Sequence, residues 1–160
     1  MDDRTFRNAM GKFATGVTVI TTEVDGEVHG MTANAFLSVS LNPKLVLISI
    51  GEKAKMLDKI KQSKTFAVNI LSENQQEISK MFAGQIKEKQ EMEFERLSGL
   101  PIIKDSIANI SCQVYNQHIE GDHTLFIGEV MDIFLPEGEG EPLTFYQGQY
   151  RELAKVVDIT

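Results

Sequence analysis

The alternation of apolar and polar residues predicts a chain built mostly of β-strands. Along the segment 31–41 the two classes alternate, apart from Phe36 on the polar side, which is typical of a strand with one face against a core. Eleven residues is long for one strand, so we expect a bulge or kink within it. The apolar run 45–50 predicts a strand that is buried on both faces. Asp25-Gly26 predicts a hairpin turn. Further strands are predicted at residues 17–22, 65–71, 107–117, 124–135 and 143–146.

Apolar residues recur at helical spacing in three other segments. The predicted helices are residues 2–14, 52–63 and 72–82. In the first, Phe6, Met10 and Phe13 form one stripe, and Gly16 is expected to end the helix. Ser72 is expected to cap the third helix. The inward face of the second helix is predicted to consist of Met56, Leu57 and Ile60.

These elements predict a mainly β fold with peripheral helices. About six or seven strands with short β-to-β connections favour an antiparallel barrel of the Greek-key type, with helices at its ends, over a doubly wound sheet. The length of 160 residues suits a single domain, 1–160. Residues 84–101 are charged and irregular, and we interpret them as a surface excursion or lid. Residues 137–142 form a predicted acidic loop, and a polar tail follows the last predicted strand, 143–146.

Composition and charge exclude several classes of function. The net charge of −7 disfavours general nucleic-acid binding. Cys112 is the only cysteine and lies on the apolar side of its predicted strand, so we interpret it as a buried structural thiol. The three histidines lack metal-pair spacing, so no metal site is expected. The chain has neither a membrane-length apolar stretch nor a secretory signal, so we expect no membrane association and a cytoplasmic location.

Three polar features could bind a ligand, and each has an ordinary structural alternative. The small polar residues of 31–41 could let a flat polar ring approach the backbone, or they could simply face solvent. Lysines lie around the start of the helix 52–63, where the positive end of the helix dipole disfavours them unless an anion binds there. The alternative is that they form an ordinary solvated helix face. His123, in the turn Gly121-Asp122-His123, could contact a ligand or could be an ordinary exposed turn residue. The aromatic residues of 145–150 could pack on a planar ligand or close the barrel end.

Four stretches of the chain, taken in order, resemble the flavin reductase family with the FMN-binding split-barrel fold. The matching stretches are GVTVITT (16–22), HGMTANAFLSVSLNP (29–43), FAVNIL (66–71) and GDHTLFIGEV (121–130). Within that family the chain is most similar to the small reductase components of two-component aromatic hydroxylases, and the phenol-hydroxylase type is the closer match. Asn42-Pro43-Lys44 departs from the two prolines that many members carry at this point.

The resemblance implies a set of site residues. Those that would hold the flavin ring and ribityl chain are Thr32, Ala33, Asn34, Ser38, Val39 and Ser40. Those that would meet the flavin phosphate are Ser49, Gly51, Lys53, Ala54 and, as a weaker candidate, Lys59. His123 would contact the nicotinamide side, and three further residues would lie near the open face of the flavin: Phe82, Tyr146 and Gly148.

The resemblance also implies an activity. Hydride would pass from NADH to FAD, with FMN as the alternative, and the reduced flavin would diffuse to a separate aromatic monooxygenase. No acid or base residue is required, because the cofactors supply the reactivity and the protein positions them. A homodimer is expected, with the flavin near the subunit interface. Two alternatives stay open: a split-barrel flavoprotein that retains its flavin as an electron carrier, and a non-enzymatic β-barrel that binds a small apolar ligand.

Overall fold

The computed structural model describes residues 1–85 and 91–157. The helices are α1 (Asp3–Met10), α2 (Lys55–Ser63) and α3 (Gln76–Phe82), the last preceded by a 3₁₀ turn (Glu73–Gln75). The strands are β1 (Thr15–Gly16), β2 (Thr18–Val24), β3 (Glu27–Ala33), β4 (Phe36–Leu41), β5 (Lys44–Gly51), β6 (Thr65–Ile70), β7 (Glu95–Leu97), β8 (Leu100–Ile102), β9 (Ala108–Glu120), β10 (His123–Phe134), β11 (Thr144–Tyr146) and β12 (Gln149–Arg151). None of the described helices is long and apolar enough to cross a bilayer.

Seven strands form one antiparallel sheet that curls into a barrel. Their order is β3-β2-β6-β9-β10-β5-β4, and every pairing within it is antiparallel. The outermost strands β3 and β4 are joined by only two residues, Asn34 and Ala35. Three Cα–Cα steps span at most about 11 Å, so the two ends of the sheet must lie side by side. The order is that of a Greek-key barrel rather than a meander, as predicted.

The segment 31–41 is two strands and not the single strand that its alternation predicts. The chain pairs with β2 up to Ala33 and with β5 from Phe36 onward. The expected bulge is present in the second part, where the pairing register of β4 skips Val39. The expectation of a half-buried apolar face is wrong for this part, because its apolar residues are exposed: Leu37, Val39 and Leu41.

The main core fills the barrel. On β5, Val46, Ile48 and Ile50 are buried, whereas Leu45 and Leu47 on the other side are only partly buried. The prediction that both faces of 45–50 are buried is therefore wrong. α2 closes one end of the barrel with the inward face that the sequence predicts, Met56, Leu57 and Ile60.

A second core lies outside the barrel, between the sheet and α3. Val19 and Leu71 are fully buried there, and Phe82 packs against them. Ser72 forms the predicted cap as part of a capping box with Gln75: the Gln75 side-chain oxygen accepts a hydrogen bond from the Ser72 N–H at 3.0 Å. A 3₁₀ turn follows the cap before α3 begins.

The structure corrects one prediction at the N-terminal end. α1 ends at Met10 with Gly11 as its C-cap, and not at Gly16. The apolar stripe of α1 has no core to pack on within the described residues: Phe6 is 55% exposed and Met10 57%. This stripe is therefore available to another surface.

The structure also corrects two predictions further along the chain. Within the predicted irregular excursion, β7 and β8 form a hairpin whose Leu100 and Ile102 are buried, while residues 86–90 lie outside the described residues. The polar tail contributes β12, which pairs with β11, before the described residues end at 157. Cys112 is fully buried as predicted, and burial raises the pKa of its thiol to about 12.

Gly128 on β10 offers a test of packing in the barrel. A Cβ at this position would lie 2.5 Å from Cζ of Phe66 and 3.0 Å from Cβ of Cys112, both of which are buried. Gly128→Ala should lower the free energy of unfolding by about 1–3 kcal/mol, because the core must shift to accept the methyl group. Denaturant unfolding followed by circular dichroism measures this loss.

Gly16→Ala is the matched control for Gly128→Ala. Among the described residues no heavy atom would lie within 4 Å of its Cβ, so we expect a change below about 0.5 kcal/mol. Equal losses in the two variants would contradict the close packing at Gly128.

Candidate active site

Pairing of β5 with β10 brings together two of the predicted contact regions. Gly51, the last residue of β5, lies directly opposite His123, the first residue of β10. The Glu52 N–H donates a hydrogen bond of 2.9 Å to the Asp122 carbonyl, which links the loop after β5 to the β9–β10 turn. The two segments thus form one rim at this end of the barrel.

An aspartate holds the histidine at this rim. His123 Nδ1 lies 2.7 Å from Asp122 Oδ1, so Nδ1–H donates to the carboxylate. This hydrogen bond and the charge of His123 lower the pKa of Asp122, and Lys53 contributes a smaller effect in the same direction. The other ring nitrogen, Nε2, lies 3.6 Å from where a Cβ on Gly51 would be. The absence of a side chain on Gly51 therefore leaves the space beside Nε2 open to a ligand.

The rim continues into the start of α2. Ala54 is the N-cap residue, and its methyl side chain cannot accept a hydrogen bond from the first helical N–H groups. Its own N–H donates to the Gly51 carbonyl at 3.0 Å, which closes a tight turn. Helix α2 begins at Lys55, so the expectation that Lys53 lies in the first helical turn is wrong: Lys53 lies just before the cap. Lys59 lies one turn further along the helix and is partly buried.

The predicted ring-binding residues divide into two groups. The Thr32 hydroxyl donates to the Ser79 carbonyl at 2.6 Å, so this side chain anchors α3 and is occupied. Asn34 is exposed at the break between β3 and β4. Because Phe36 pairs with Ile48, the chain before Phe36 runs towards the Ser49 end of β5 and therefore towards the rim.

The second group, Ser38 and Ser40, lies further along β4, away from the rim. Ser38 pairs with Val46 and Ser40 with Leu45, which are five and six residues from Gly51 on β5. At about 3.4 Å per residue, this places the group roughly 17–20 Å from the rim. A ligand that contacts both groups and the rim must be elongated, as a flavin nucleotide is.

A cleft of about 550 Å³ lies beside the break between β3 and β4. Asn34 and Phe36 line it, together with Thr15 of β1 and Phe13. The Thr15 hydroxyl oxygen is buried and has no hydrogen-bond partner within the described ranges. Sequence reasoning missed Thr15, because no motif distinguishes one threonine before a strand from any other.

The remaining predicted residues lie on other elements. The Phe82 ring packs over Gly30 on β3. Tyr146 belongs to β11, with the Arg151 guanidinium 5.5 Å from its ring centroid. Gly148, in the β11–β12 turn, lines a separate cleft beside α1.

Comparison with known proteins defines the class. Residues 10–154 match the model of the flavin reductase like domain, and the chain belongs to that family. This confirms the family predicted from the sequence. The antiparallel split-barrel fold is confirmed as well.

Three relatives show which members of the flavin reductase family this chain is similar to. An NADH-dependent flavin reductase of Rhodococcus is 43% identical over 150 residues, covering 92% of this chain and 84% of the relative. The reductase component of 4-hydroxyphenylacetate 3-monooxygenase from Thermus thermophilus is 38% identical over 148 residues, covering 92% and 95%. The solved structure of the flavin reductase PheA2 has 67% sequence identity and a TM-score of 0.94, covering 97% of this chain and all of that one.

Proposed function

We propose that this protein is an NADH-dependent flavin reductase that supplies reduced flavin to a separate aromatic monooxygenase. The observation that carries the proposal is the rim where Gly51, the uncapped start of α2 and the Asp122–His123 pair meet in a member of the flavin reductase family. Bound together, NADH and flavin supply the redox chemistry, a hydride transfer from nicotinamide C4 to flavin N5. The residues of the chain bind, orient and desolvate the two rings.

The start of α2 suits the flavin phosphate. The N-terminus of a helix presents free N–H groups and the positive end of the helix dipole. Lys53, Lys55 and Lys59 lie at or near this start and favour an anion, and together they outweigh the two acidic residues of the same segment, Glu52 and Asp58. Gly51 lets the backbone approach the ligand closely. The positive dipole end and the ammonium groups then act in the same direction.

The β3–β4 segment suits the ring and ribityl portion. Ser38 and Ser40 offer hydroxyl groups on β4, and Asn34 offers an amide at the strand break. Hydrogen-bond donors aimed at the ring edge stabilise the negative charge that develops when hydride arrives. Ala33 and Val39 contribute backbone groups here, with no polar side chain of their own.

His123 suits the nicotinamide carboxamide. Its Nδ1–H is committed to Asp122, so in the neutral ring Nε2 is free to accept a hydrogen bond from the amide group of the carboxamide. This orients the nicotinamide against the part of the flavin ring that lies beside Asn34, at the rim end of the β3–β4 segment, and moves no proton. We assign Phe82, Tyr146 and Gly148 to the wider NADH side of the site, as the resemblance implies.

We also propose a homodimer with the flavin near its interface. The apolar stripe of α1 and the outer side of β4 are both exposed, with Leu41 at 80%. Large apolar side chains are also exposed at both ends of the β9–β10 pair: Ile119 beside the rim, and Phe134 with the following Leu135 at the opposite end. Monomers rarely leave so much apolar surface in water. Sedimentation velocity tests this, and a monomer at micromolar concentration would contradict it.

The phosphate assignment predicts a specific loss of flavin affinity. Lys53→Gln should raise the Kd for FMN roughly five- to tenfold, because a charge-assisted hydrogen bond to the phosphate is lost. Quenching of flavin fluorescence measures this. The control Lys61→Gln removes an exposed lysine from the last turn of α2 and should leave the Kd within twofold. Equal losses in the two variants would show that only general positive charge matters.

An anaerobic titration tests the function itself. Protein reconstituted separately with FAD and FMN is titrated with NADH, and one equivalent should bleach the visible absorption of the oxidised flavin completely, because one hydride reduces one flavin. Adding free flavin during turnover distinguishes a reductase that releases its flavin from a flavoprotein that retains it as an electron carrier. Free flavin stimulates NADH oxidation only if the bound flavin exchanges. If the protein binds neither flavin, the remaining alternative is a non-enzymatic β-barrel that binds a small apolar ligand.

A further inference from the structure

Three elements that carry proposed site residues meet at one buried serine. Ser79 lies in the middle of α3 and is the only buried residue of that helix. Its carbonyl accepts a hydrogen bond from the Thr32 hydroxyl on β3, at 2.6 Å. Its own hydroxyl lies 2.7 Å from the Tyr150 hydroxyl on β12, and either group can donate. Ser79 therefore links β3, α3 and the hairpin formed by β11 and β12.

The linked elements belong to opposite sides of the proposed site. β3 runs directly into Asn34, on the flavin side. α3 carries Phe82, and the β11–β12 hairpin carries Tyr146 and Gly148, all three of which we assign to the NADH side. A misplacement of the reacting rings by about 1 Å is enough to slow a reaction severely. The link through Ser79 joins the elements that would align the two rings.

The hydroxyl pair is a dry and well-supported contact. Ser79 is fully buried, so its hydroxyl depends on a partner within the protein. The Phe145 ring packs edge-on against the Tyr150 ring, with centroids 5.4 Å apart, and this steadies the Tyr150 hydroxyl. Within the described residues, this pair is the only hydrogen bond between α3 and the hairpin, whose other backbone bonds run to β1 and to Gly11.

We infer that Ser79 and Tyr150 are positioning residues that hold the NADH side of the site in place against the strand that carries the flavin. The inference rests on the proposed function and adds two residues that act through Phe82 and the hairpin. Without the hydroxyl pair, no hydrogen bond joins α3 to the hairpin, so the two rings spend less time aligned for hydride transfer. Neither residue lies on α2 or β4, so flavin binding should change little.

Tyr150→Phe tests the inference, because it removes one hydroxyl and keeps the ring. Anaerobic stopped-flow mixing of FMN-loaded protein with saturating NADH should show flavin reduction slowed roughly five- to twentyfold. The Kd for FMN should change by less than twofold, and the melting temperature should fall by only about 2–4 °C. The control Tyr115→Phe removes the hydroxyl of an exposed tyrosine on β9 and should leave all three quantities unchanged.

A double-mutant cycle tests whether the two hydroxyl groups act as one unit. Ser79→Ala should slow flavin reduction by about the same factor as Tyr150→Phe, and the double variant should be no slower than the slower single variant. Losses that multiply in the double variant would show two independent effects and overturn the inference.

Two other results also overturn it. One is a reduction rate within twofold of wild type in Tyr150→Phe. The other is a loss of FMN affinity that matches the loss of rate, because the bond would then support the flavin side as much as the NADH side. Both leave the proposed function intact, since the wild-type protein still reduces flavin. Wild-type protein that binds FMN but is not reduced by NADH overturns both.

Discussion

Replacing Asn69 with leucine should lower the free energy of unfolding by about 3–5 kcal/mol, the largest effect on stability that we expect from a single change. Asn69 lies on β6 and is fully buried. Its amide nitrogen donates to the Val19 carbonyl at 2.9 Å and to the Thr21 hydroxyl at 3.0 Å. Its amide oxygen accepts from the Ile103 N–H at 2.9 Å and from the Asn109 amide at 2.8 Å. One side chain therefore ties β2, β6 and β9 to the segment after β8.

Leucine has a similar size but none of these groups. The Ile103 N–H loses its acceptor, and the Val19 carbonyl loses one of its donors. The unpaired Ile103 N–H costs about 1–3 kcal/mol, and the three other lost hydrogen bonds contribute about 0.5–1.5 kcal/mol each, which brackets the expected loss. Asn74→Leu, at an exposed position in the 3₁₀ turn, is the control and should stay within about 0.5 kcal/mol. Guanidinium unfolding followed by circular dichroism compares the two. A loss below 1 kcal/mol in Asn69→Leu would mean that water replaces the lost partners.

The sequence alone predicts the elements whose pattern is local. The inward face of α2 follows from helical spacing, and the Asp25-Gly26 turn follows from backbone preference, since both residues have positive φ. Burial of Cys112 follows from strand alternation. In each case the signal lies within a few neighbouring residues.

The break inside 31–41 could not be predicted in this way. Asn34 and Ala35 keep the alternation, and neither glycine nor proline marks the point where the chain leaves β2 for β5. Alternation records which residues share a face, and it does not record which strand they pair with. The same limit explains why Leu37, on the apolar side of the alternation, is predicted from the sequence to face the core but is exposed.

The candidate site depends on pairings that are distant in sequence. Nothing in the spacing of Gly51 and His123 shows that β5 and β10 are neighbours, and only the family resemblance suggested that both serve one site. Residue type alone was also insufficient at Thr32. Its hydroxyl was predicted to be available to a ligand, but in the structure it donates a hydrogen bond to the Ser79 carbonyl. Conversely, Asp122 drew attention as a turn residue, and the structure shows it holding the His123 ring.

Replacing His123 with alanine should raise the KM for NADH roughly ten- to a hundredfold and change the flavin Kd by less than threefold. Once the bound rings exclude water, a carboxamide N–H left without its acceptor costs about 1–3 kcal/mol, which spans this range. The split is expected because His123 Nε2 faces the open space beside Gly51, whereas the phosphate site that we propose is at the start of α2. Steady-state NADH oxidation with saturating flavin gives KM, and fluorescence quenching gives the flavin Kd.

Two further variants separate the role of the ring from that of its orientation. His123→Gln keeps a hydrogen-bonding group near the position of Nε2 and should recover part of the loss in KM. Asp122→Asn removes the carboxylate, whose lowered pKa keeps it ionised at neutral pH, but retains an oxygen that accepts from Nδ1–H. It should therefore raise KM less than His123→Ala does. If His123→Ala weakens flavin and NADH equally, the histidine belongs to the flavin site, and the nicotinamide must be oriented by residues elsewhere on the rim.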